Sequence, residues 1–451
     1  MALITQLGDW AFCPEKLLLW RTSMPEKEVF SAIQRMPDVD GLRKAREVLG
    51  DLDWHNVPIN TFQISRAGIC IAKCCQLRCR YCSECSTEGN GRELPNEDVL
   101  RFVNDLIAKS IARGMLQGTK PTLKVIFTGG GEPTYEFDKF ADLVKRIRIL
   151  GEANGIKLNL DITTNGAYDL ERAEFIARHF DSVMISYDGL PDIQDRNRPS
   201  PHFQSTSAVV EPVIKAMCGR AGKLVIRTTI SPHDIPRLQD MADHVFGKFG
   251  IDLTWSVFPV TPKGRASKSD IARFEGCDFY REFSRVRQYA LERYGKVDMT
   301  SPLFFTHEND FYCGSLGFLT RVAWLRADGR IVTCLEMGED ETVIGHLEQG
   351  VVSYKESCAD PLVRITQRKF EECRKCIAFP FCRGGCPADH RASERAGVQG
   401  ESWACRQTIA FWKDRLMRIA AGERGLGWRI EPIKGPASSP SAFCKLVKEE
   451  I

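Results

Sequence analysis

Cysteine thiols are the side chains of this sequence whose spacing most clearly suggests chemistry. The chain has 18 cysteines among 451 residues, and most of them lie in two runs, 70–85 and 313–405. The first residues contain no basic segment ahead of an apolar stretch, so no secretory signal is predicted. Clustered cysteines without such a signal favour thiolate metal ligands over disulfides, and they predict a reducing, cytoplasmic location.

The first run contains Cys75, Cys79 and Cys82, a C-x3-C-x2-C pattern on the loop after a predicted strand. Three thiolates so close together suit a [4Fe–4S] cluster that keeps one iron open for a small chelating molecule. A structural zinc site normally has four protein ligands. The alternative is therefore a zinc knuckle completed by a further cysteine of the run, namely Cys70, Cys74 or Cys85.

A glycine run follows the next predicted strand. Residues 129–134 read Gly-Gly-Gly-Glu-Pro-Thr. Glycine exposes backbone N–H and C=O groups to a ligand, and α/β sheets bind ligands at the C-terminal ends of their strands. A tight strand–helix turn would use the same residues, so the run alone leaves both interpretations open.

Six successive βα units are predicted to position these loops. Their alternation indicates a parallel sheet with right-handed crossovers, and hydrophobic periodicity leaves open whether the sheet forms a partial TIM-like (β/α)6 barrel or an open doubly wound sheet. The predicted strands are 68–72, 123–128, 158–164, 182–186, 224–231 and 251–257, and the predicted helices are 95–113, 137–154, 170–179, 206–218, 235–249 and 277–293.

Composition divides the chain into four predicted regions. These are an N-terminal cap or partial peptide-recognition region (1–66), the βα region (67–300), a small cysteine-rich domain (301–421) and a Gly/Pro/Ser-rich tail (422–451). No apolar run is long enough to predict a membrane span. The 62 basic and 59 acidic residues nearly balance, which gives no electrostatic case for a nucleic-acid partner.

The order of the motifs resembles the radical S-adenosylmethionine (SAM) superfamily over about residues 67–265. The resemblance rests on C-x3-C-x2-C with Tyr81 before its last cysteine, on GGGEPT, on TTNG at 163–166 and on SYDG at 186–189. It implies that Cys75, Cys79 and Cys82 hold a [4Fe–4S] cluster whose open iron chelates SAM. It also implies reductive cleavage of SAM to a 5′-deoxyadenosyl radical, which abstracts hydrogen from an unactivated C–H bond.

The same resemblance implies a set of SAM contacts. Tyr81 would lie near the adenine. Arg198 ends a D-x-x-R motif that begins at Asp195, and Gln194 comes directly before it, where the family usually has histidine. The remaining contacts would surround the methionine amino group, the ribose and the carboxylate, and are Gly130, Gly131, Glu132, Ser186 and Asp188.

The second cysteine run resembles the SPASM domain, which carries two auxiliary Fe–S clusters in peptide-modifying radical SAM enzymes. The match covers about residues 305–410. The resemblance implies three [4Fe–4S] clusters in all, with one auxiliary cluster on Cys313, Cys334 and Cys386 and the other on Cys373, Cys376, Cys382 and Cys405. The first set has three cysteines, so Cys277, Cys358 or another residue completes it, or one iron is open. The alternative for the whole region is a pair of structural zinc sites.

SPASM relatives fall mainly into two groups. Anaerobic sulfatase-maturing enzymes oxidise a Cys or Ser of a protein to formylglycine, and they usually carry Asp directly after the cysteine of a G-x4-C motif. Here Leu335 follows Cys334, and Glu336 comes one residue later, on the opposite face of an extended segment. The departure favours the second group, the maturases of ribosomal precursor peptides, and Glu336 remains a candidate base.

We therefore predict an enzyme that forms a C–C or thioether cross-link, or another oxidative modification, in a short precursor peptide with a leader. A flavodoxin- or ferredoxin-type protein would supply single electrons. Formylglycine formation and a small-molecule substrate remain the alternatives. A non-enzymatic Fe–S carrier would explain the cysteines but not the GGGEPT motif.

Overall fold

The computed structural model describes residues 4–35, 39–87, 94–304, 311, 313–337, 340–395, 397, 402–424, 426, 428–432 and 443–448. Part of the predicted tail therefore lies outside the described residues. The strands, in chain order, are β1 (Thr5–Leu7), β2 (Trp10–Cys13), β3 (Leu18–Arg21), β4 (Val57–Pro58), β5 (Arg66–Cys70), β6 (Thr122–Phe127), β7 (Lys157–Thr164), β8 (Ser182–Ser186), β9 (Leu224–Ile230), β10 (Thr254–Pro259), β11 (Asp298–Thr300), β12 (Val322–Arg326), β13 (Arg330–Val332), β14 (Val343–Glu348), β15 (Val351–Tyr354), β16 (Ser357–Cys358), β17 (Trp428–Pro432) and β18 (Phe443–Lys448).

Helices follow most of the parallel strands. In chain order they are α1 (Glu26–Arg35), α2 (Asp40–Gly50), α3 (Asn96–Gln117), α4 (Phe137–Ala153), α5 (Leu170–His179), α6 (Pro191–Asn197), α7 (Thr206–Met217), α8 (Leu238–Phe249), α9 (Phe279–Tyr294), α10 (Pro361–Glu372), α11 (Phe379–Cys382), α12 (Pro387–Arg395) and α13 (Trp403–Ala420). None of the helices in the described part of the chain is both long enough and apolar enough to cross a membrane.

The chain forms two compact units, which we call the barrel unit (54–302 and 314–361) and the cysteine-rich unit (1–53, 303–313 and 362–451). In the barrel unit, strands β5 to β10 lie side by side and parallel, with β11 beyond β10 and β12 beside β5. Each of the six predicted strands overlaps an observed one. The sheet runs in one order from β11 to β15, so it has two edges, and the predicted partial (β/α)6 barrel is confirmed.

One face of the central strands is unusually polar for a parallel sheet. Along β7, buried Leu158, Leu160 and Ile162 alternate with half-buried polar residues. Parallel sheets covered on both faces normally have nearly continuous apolar strands. The polar positions include Asp161, which pairs with Lys124 of β6 at 2.8 Å. Because apolar side chains cover the other face, the polar face is the one available to a ligand.

The cysteine-rich unit is built around a five-stranded sheet in the order β1-β2-β3-β18-β17. Alternate residues of its strands enter two separate cores. Phe12 and Leu19 join the core that contains Phe381 and Trp412, while Leu18 lies in the core that includes part of α1. This alternation is the period of two that a strand imposes on its side chains.

The structure therefore groups the ends of the chain differently from the four predicted regions. Strand β18 pairs with β3, placing Phe443 opposite Trp20, and Leu446 is only 1% exposed. Residues 54–66 belong instead to the barrel unit. Hydrophobic periodicity reports local structure alone, so it carried no signal for a pairing between such distant segments.

Candidate active site

The loop after β5 carries the C-x3-C-x2-C motif. The side chains of Cys75, Cys79 and Cys82 are half-buried. The Cys75 sulfur accepts hydrogen bonds from the backbone N–H of Leu77 at 3.4 Å and from Nδ2 of Asn165 at 3.6 Å. Asn165 belongs to the TTNG turn, so the structure brings two of the predicted motifs together.

The three thiols are close enough to affect one another's ionisation. Burial raises the pKa of Cys75 to about 12, and the Glu132 carboxylate and the Cys79 thiol add to the increase. Burial also raises the pKa of Cys79 to about 11, with Arg198 opposing it and Cys82 adding to it. Thiolates at these positions therefore need a bound cation, and the donor set fits the iron of an Fe–S cluster.

The described residues contain no group of three His, Cys, Asp or Glu side chains arranged to hold a single metal ion. The cluster ligands assigned to Cys75, Cys79 and Cys82 therefore rest on the motif and on the proximity of the thiols.

Two segments that were not predicted hold the cysteine loop in place. On one side, the last residue of α6 accepts a backbone hydrogen bond, since Arg80 N–H donates to Asn197 O at 2.9 Å. On the other side, Arg265 donates from its side chain to Cys79 O at 2.9 Å and from its backbone to Cys82 O at 3.0 Å. Gly264 has a φ of +52°, and a Gly-Arg pair after a strand was the only sequence signal for this contact.

The glycine run packs against the backbone of the cysteine loop. Gly130 has a φ of +73°, and a Cβ built there would lie within 3.0 Å of Ala72 O. A Cβ at Gly131 would overlap Cys74 O in the same way. Both glycines are therefore needed for close backbone approach, and their predicted contact with the SAM amino group remains a prediction.

We expect Gly130→Ala to destabilise the protein by about 3 kcal/mol, since left-handed backbone costs about 1–2 kcal/mol and the overlap with Ala72 O adds strain of about 1–3 kcal/mol. Gly155→Ala is the matched control, because Gly155 has a φ of +64° and no neighbouring atom within 4 Å of the added Cβ. Urea denaturation of both variants measures the difference. Equal losses would contradict the close approach at Gly130.

Glu132 joins the ends of β6 and β7. Its carboxylate is buried and accepts hydrogen bonds from Thr164 Oγ1 and Asn165 N at 2.7 Å each, and from Thr134 Oγ1 at 2.8 Å. Burial raises the pKa of Glu132, although these hydrogen bonds oppose the increase. The side chain therefore fixes the GGGEPT and TTNG segments relative to each other.

Tyr81, Asp188 and Arg198 contact one another in the structure, and their contacts with SAM remain predictions. The Tyr81 hydroxyl donates to Asp188 Oδ2, and Arg198 donates to Asp188 Oδ1 at 3.1 Å. The Arg198 guanidinium also lies over the Tyr81 ring, 5.2 Å from its centroid. Gln194 Oε1 accepts from the backbone N–H of Asp188 at 2.9 Å, so the glutamine at the histidine position of the family motif holds the backbone of Asp188.

The ionisation of this cluster follows from its burial. Burial lowers the pKa of Arg198, but the Asp188 carboxylate, Tyr81 and Cys79 together more than offset it, and the pKa lies above its ordinary value. Arg198 therefore stays a cation next to the phenol of Tyr81, whose pKa burial raises. Ser186, the other predicted contact, ends β8 and is half-buried.

The predicted base Glu336 lies in an ion pair. Its carboxylate is 3.0 Å from Lys263 Nζ, and its side chain is 50% exposed. Leu335 approaches Gly129, where an added Cβ would lie 3.2 Å from Leu335 Cδ1. The position directly after Cys334 therefore presents an apolar side chain to the glycine run.

The four cysteines of the predicted second auxiliary site lie together in the cysteine-rich unit. Burial raises the pKa of Cys373 to about 12, with Cys376 and Cys405 adding to it, and it raises the pKa of Cys382 in the same way. Cys405 lies in the first turn of α13, where its N–H donates to Ser402 Oγ at 3.2 Å. Four thiols close enough to affect pKa values within the group match the donor set of an Fe–S cluster.

The other predicted auxiliary set is divided between the units: Cys334 belongs to the barrel unit, and Cys313 and Cys386 belong to the cysteine-rich unit. Their shared cluster stays a prediction. Two cysteines outside both runs, Cys13 and Cys444, are buried thiols.

Comparison with known proteins identifies the class. Residues 69–242 match the radical SAM superfamily, so this part of the chain is a radical SAM domain, and the protein is an enzyme. A cysteine-rich region follows that domain. The predicted family and fold class are thereby confirmed. Among curated proteins, the cysteine-type anaerobic sulfatase-maturating enzyme of Clostridium perfringens is 22% identical over 363 residues, which cover 77% of this chain and 95% of that enzyme.

Two solved structures share the fold. The structure of anSMEcpe with bound AdoMet has a TM-score of 0.58 at 18% identity, covering 79% of this chain and 99% of that one. Streptococcus suis SuiB bound to its precursor peptide SuiA has a TM-score of 0.52 at 15% identity, covering 90% of this chain and 100% of that one.

Proposed function

We propose that the protein is a peptide maturase that uses SAM and three [4Fe–4S] clusters to form a C–C or thioether cross-link in a ribosomal precursor peptide. A flavodoxin- or ferredoxin-type protein would supply electrons in the cytoplasm. The observation that carries the proposal is the convergence of the cysteine loop with two buried carboxylate clusters at the strand ends. When bound, SAM and its cluster supply the 5′-deoxyadenosyl radical that abstracts hydrogen from the peptide.

The residues of the chain hold and orient these groups. Cys75, Cys79 and Cys82 would ligate the SAM-binding cluster. The hydrogen bonds of Glu132 fix the two turns that face it, and Asp188 keeps Arg198 charged beside the Tyr81 ring. Such preorganisation limits motion of a reactive radical and excludes water.

A peptide substrate is supported by the related structures. SuiB is bound to its precursor peptide SuiA, and a second anSMEcpe structure, with a TM-score of 0.57, contains AdoMet and a Kp18Cys peptide. Cross-linking is favoured over formylglycine formation because Leu335 occupies the position where sulfatase-maturing enzymes usually have Asp. The nearby carboxylate of Glu336 is already engaged in an ion pair with Lys263.

Formylglycine formation is the second candidate. It is favoured by the curated sulfatase-maturating relative, of which the alignment covers 95%. The two functions differ in substrate size, since one acts on a short precursor and the other on a sulfatase.

Anaerobic co-expression with the short open reading frames beside the gene tests the proposal. We expect one peptide to become lighter by the mass of two hydrogen atoms for each cross-link, and mass spectrometric fragmentation to locate the bond. Cys75→Ala should prevent the change. Cys218→Ala is the matched control, because that thiol bonds backbone carbonyls of Ile214 and Phe249 away from the motif.

A set of unchanged peptides would contradict the cross-linking proposal. A sulfatase-derived peptide that is converted to formylglycine in the same cells would select the second candidate.

A further inference from the structure

Arg265 places a cation beside the cysteine loop. Its Nη1 donates to Cys79 O at 2.9 Å and its Nη2 to Ser86 O at 2.5 Å, while its backbone N–H donates to Cys82 O at 3.0 Å. Ser86 is buried and donates from its hydroxyl to Gly130 O. The guanidinium therefore lies against the segment that carries two of the three cysteines and contacts the glycine run.

The close approach of this arginine depends on the residue before it. Gly264 has a φ of +52°, and an added Cβ would lie within 3.0 Å of both Cys82 O and Ser83 O. A side chain at this position would push the segment of Arg265 away from the cysteine loop. The fold therefore holds the cation in a fixed place next to the loop.

The charge of Arg265 has no carboxylate counter-ion among the residues that the structure describes. The partners of its side chain are two backbone carbonyls, which accept hydrogen bonds but leave the positive charge of a guanidinium in place. Two other cations near the site differ in this respect. Arg198 pairs with Asp188 at 3.1 Å. Lys263 pairs with Glu336 at 3.0 Å. Arg265 therefore adds an uncompensated positive charge to the surroundings of the cysteine loop.

We propose that Arg265 is the counter-charge of the cluster on Cys75, Cys79 and Cys82 and makes that cluster easier to reduce. The inference rests on the part of the proposed function that assigns a [4Fe–4S] cluster to these thiols, and it does not depend on the substrate. Three thiolates give the cluster a net negative charge. On reduction, the [4Fe–4S]²⁺ core takes one electron from the reductant and becomes [4Fe–4S]⁺, so the negative charge increases.

A fixed cation stabilises the form of the cluster with more negative charge through Coulomb attraction. Net charge and hydrogen bonding are among the factors that set the reduction potential of an Fe–S cluster. Arg265 is half-buried, so salt screens its charge less than that of an exposed side chain. Burial raises the pKa of Cys79, and the charges of Arg198 and Arg265 oppose the increase. The charge of Arg265 therefore acts at a sulfur of the predicted cluster.

An EPR-monitored redox titration of the anaerobically reconstituted holoenzyme tests the proposal without requiring turnover. The signal that changes when SAM is added reports the SAM-binding cluster, and the iron content shows whether that cluster is retained. The variants are Arg265→Gln, which removes the charge, and Arg265→Lys, which keeps the charge but loses the paired donors of the guanidinium. Arg113→Gln is the matched control, because Arg113 also bonds backbone carbonyls, at Phe62, Ile64 and Thr122, before β5 and at the start of β6.

We expect Arg265→Gln to lower the equilibrium constant for reduction of the cluster about tenfold or more, which corresponds to about 59 mV for one electron. Arg265→Lys should stay within about threefold of the wild type, and Arg113→Gln should leave the potential unchanged. If the Gln variant loses the SAM-dependent signal while the Lys variant keeps it, that result also supports a requirement for the charge.

An unchanged potential in Arg265→Gln, or equal shifts in both Arg265 variants, would overturn the proposal. Loss of the cluster from both variants would overturn it as well, because the hydrogen bonds and not the charge would then be required. Failure of the proposed function is a separate outcome. A wild-type protein without a SAM-dependent signal would contradict the cluster assignment and this inference with it, whereas a missing cross-linked peptide would leave the titration valid.

Discussion

Replacing Cys75, Cys79 and Cys82 together with alanine should lower 5′-deoxyadenosine formation at least about 1,000-fold, or about 4 kcal/mol in activation free energy. The reason is that the three thiols are the donor set facing the TTNG and GGGEPT turns, through Asn165 and Glu132. The measurement is chromatography of the products after dithionite reduction of the reconstituted protein. Iron content should fall by about four atoms per chain.

Cys74→Ala is the matched control for the cysteine register. The backbone carbonyl of Cys74 accepts a hydrogen bond from Glu132 N at 2.8 Å, and alanine preserves that contact. Its SAM cleavage should stay close to that of the wild type. SAM cleavage that survives in the triple variant would show that a different set of cysteines holds the cluster. So would a loss of SAM cleavage in Cys74→Ala as large as the loss in the triple variant.

Replacing Cys376 and Cys382 with alanine should separate two activities. We expect peptide product to fall at least about 100-fold, or about 2.7 kcal/mol, while SAM cleavage without product stays within about tenfold of the wild type. The separation follows from the fold, since these thiols lie in the cysteine-rich unit and the SAM motif lies in the barrel unit. Both products can be quantified in one reaction with the precursor peptide.

The two activities can be compared only if the Cys376/Cys382 variant is folded. Circular dichroism and the iron content of the SAM-binding cluster provide that check, and Cys444→Ala, a buried thiol of the same unit, controls for loss of packing. Equal loss of both activities in a folded Cys376/Cys382 variant would contradict a separate role for the second site.

The barrel could be predicted from the sequence because the hydrophobic pattern of each strand and helix lies within that segment. Each strand has a buried apolar face that repeats every two residues, and each is followed by a helix with its own periodicity. The short helix α6 was missed because seven residues, beginning with Pro191, are too few to show a helical period. The sheet of the cysteine-rich unit was missed because β3 and β18 are separated by almost the whole chain.

The candidate site was predictable where motifs follow strand ends. Tyr81, Asp188 and Arg198 come from three different motifs, and the structure joins them through one buried carboxylate. Arg265 was missed because an isolated arginine has no spacing pattern, and only the tertiary fold brings it to the cysteine loop. A loop residue thus supports a site whose motifs are visible in the sequence.

The pairing of β18 with β3 has a consequence for biosynthesis. During translation the early strands β1 to β3 leave the ribosome long before β18 is made, so a large part of their sheet lacks its partner in the nascent chain. The barrel strands are closer together in sequence and can assemble first. Exposed strand edges aggregate readily, so slow synthesis should increase the demand for chaperones.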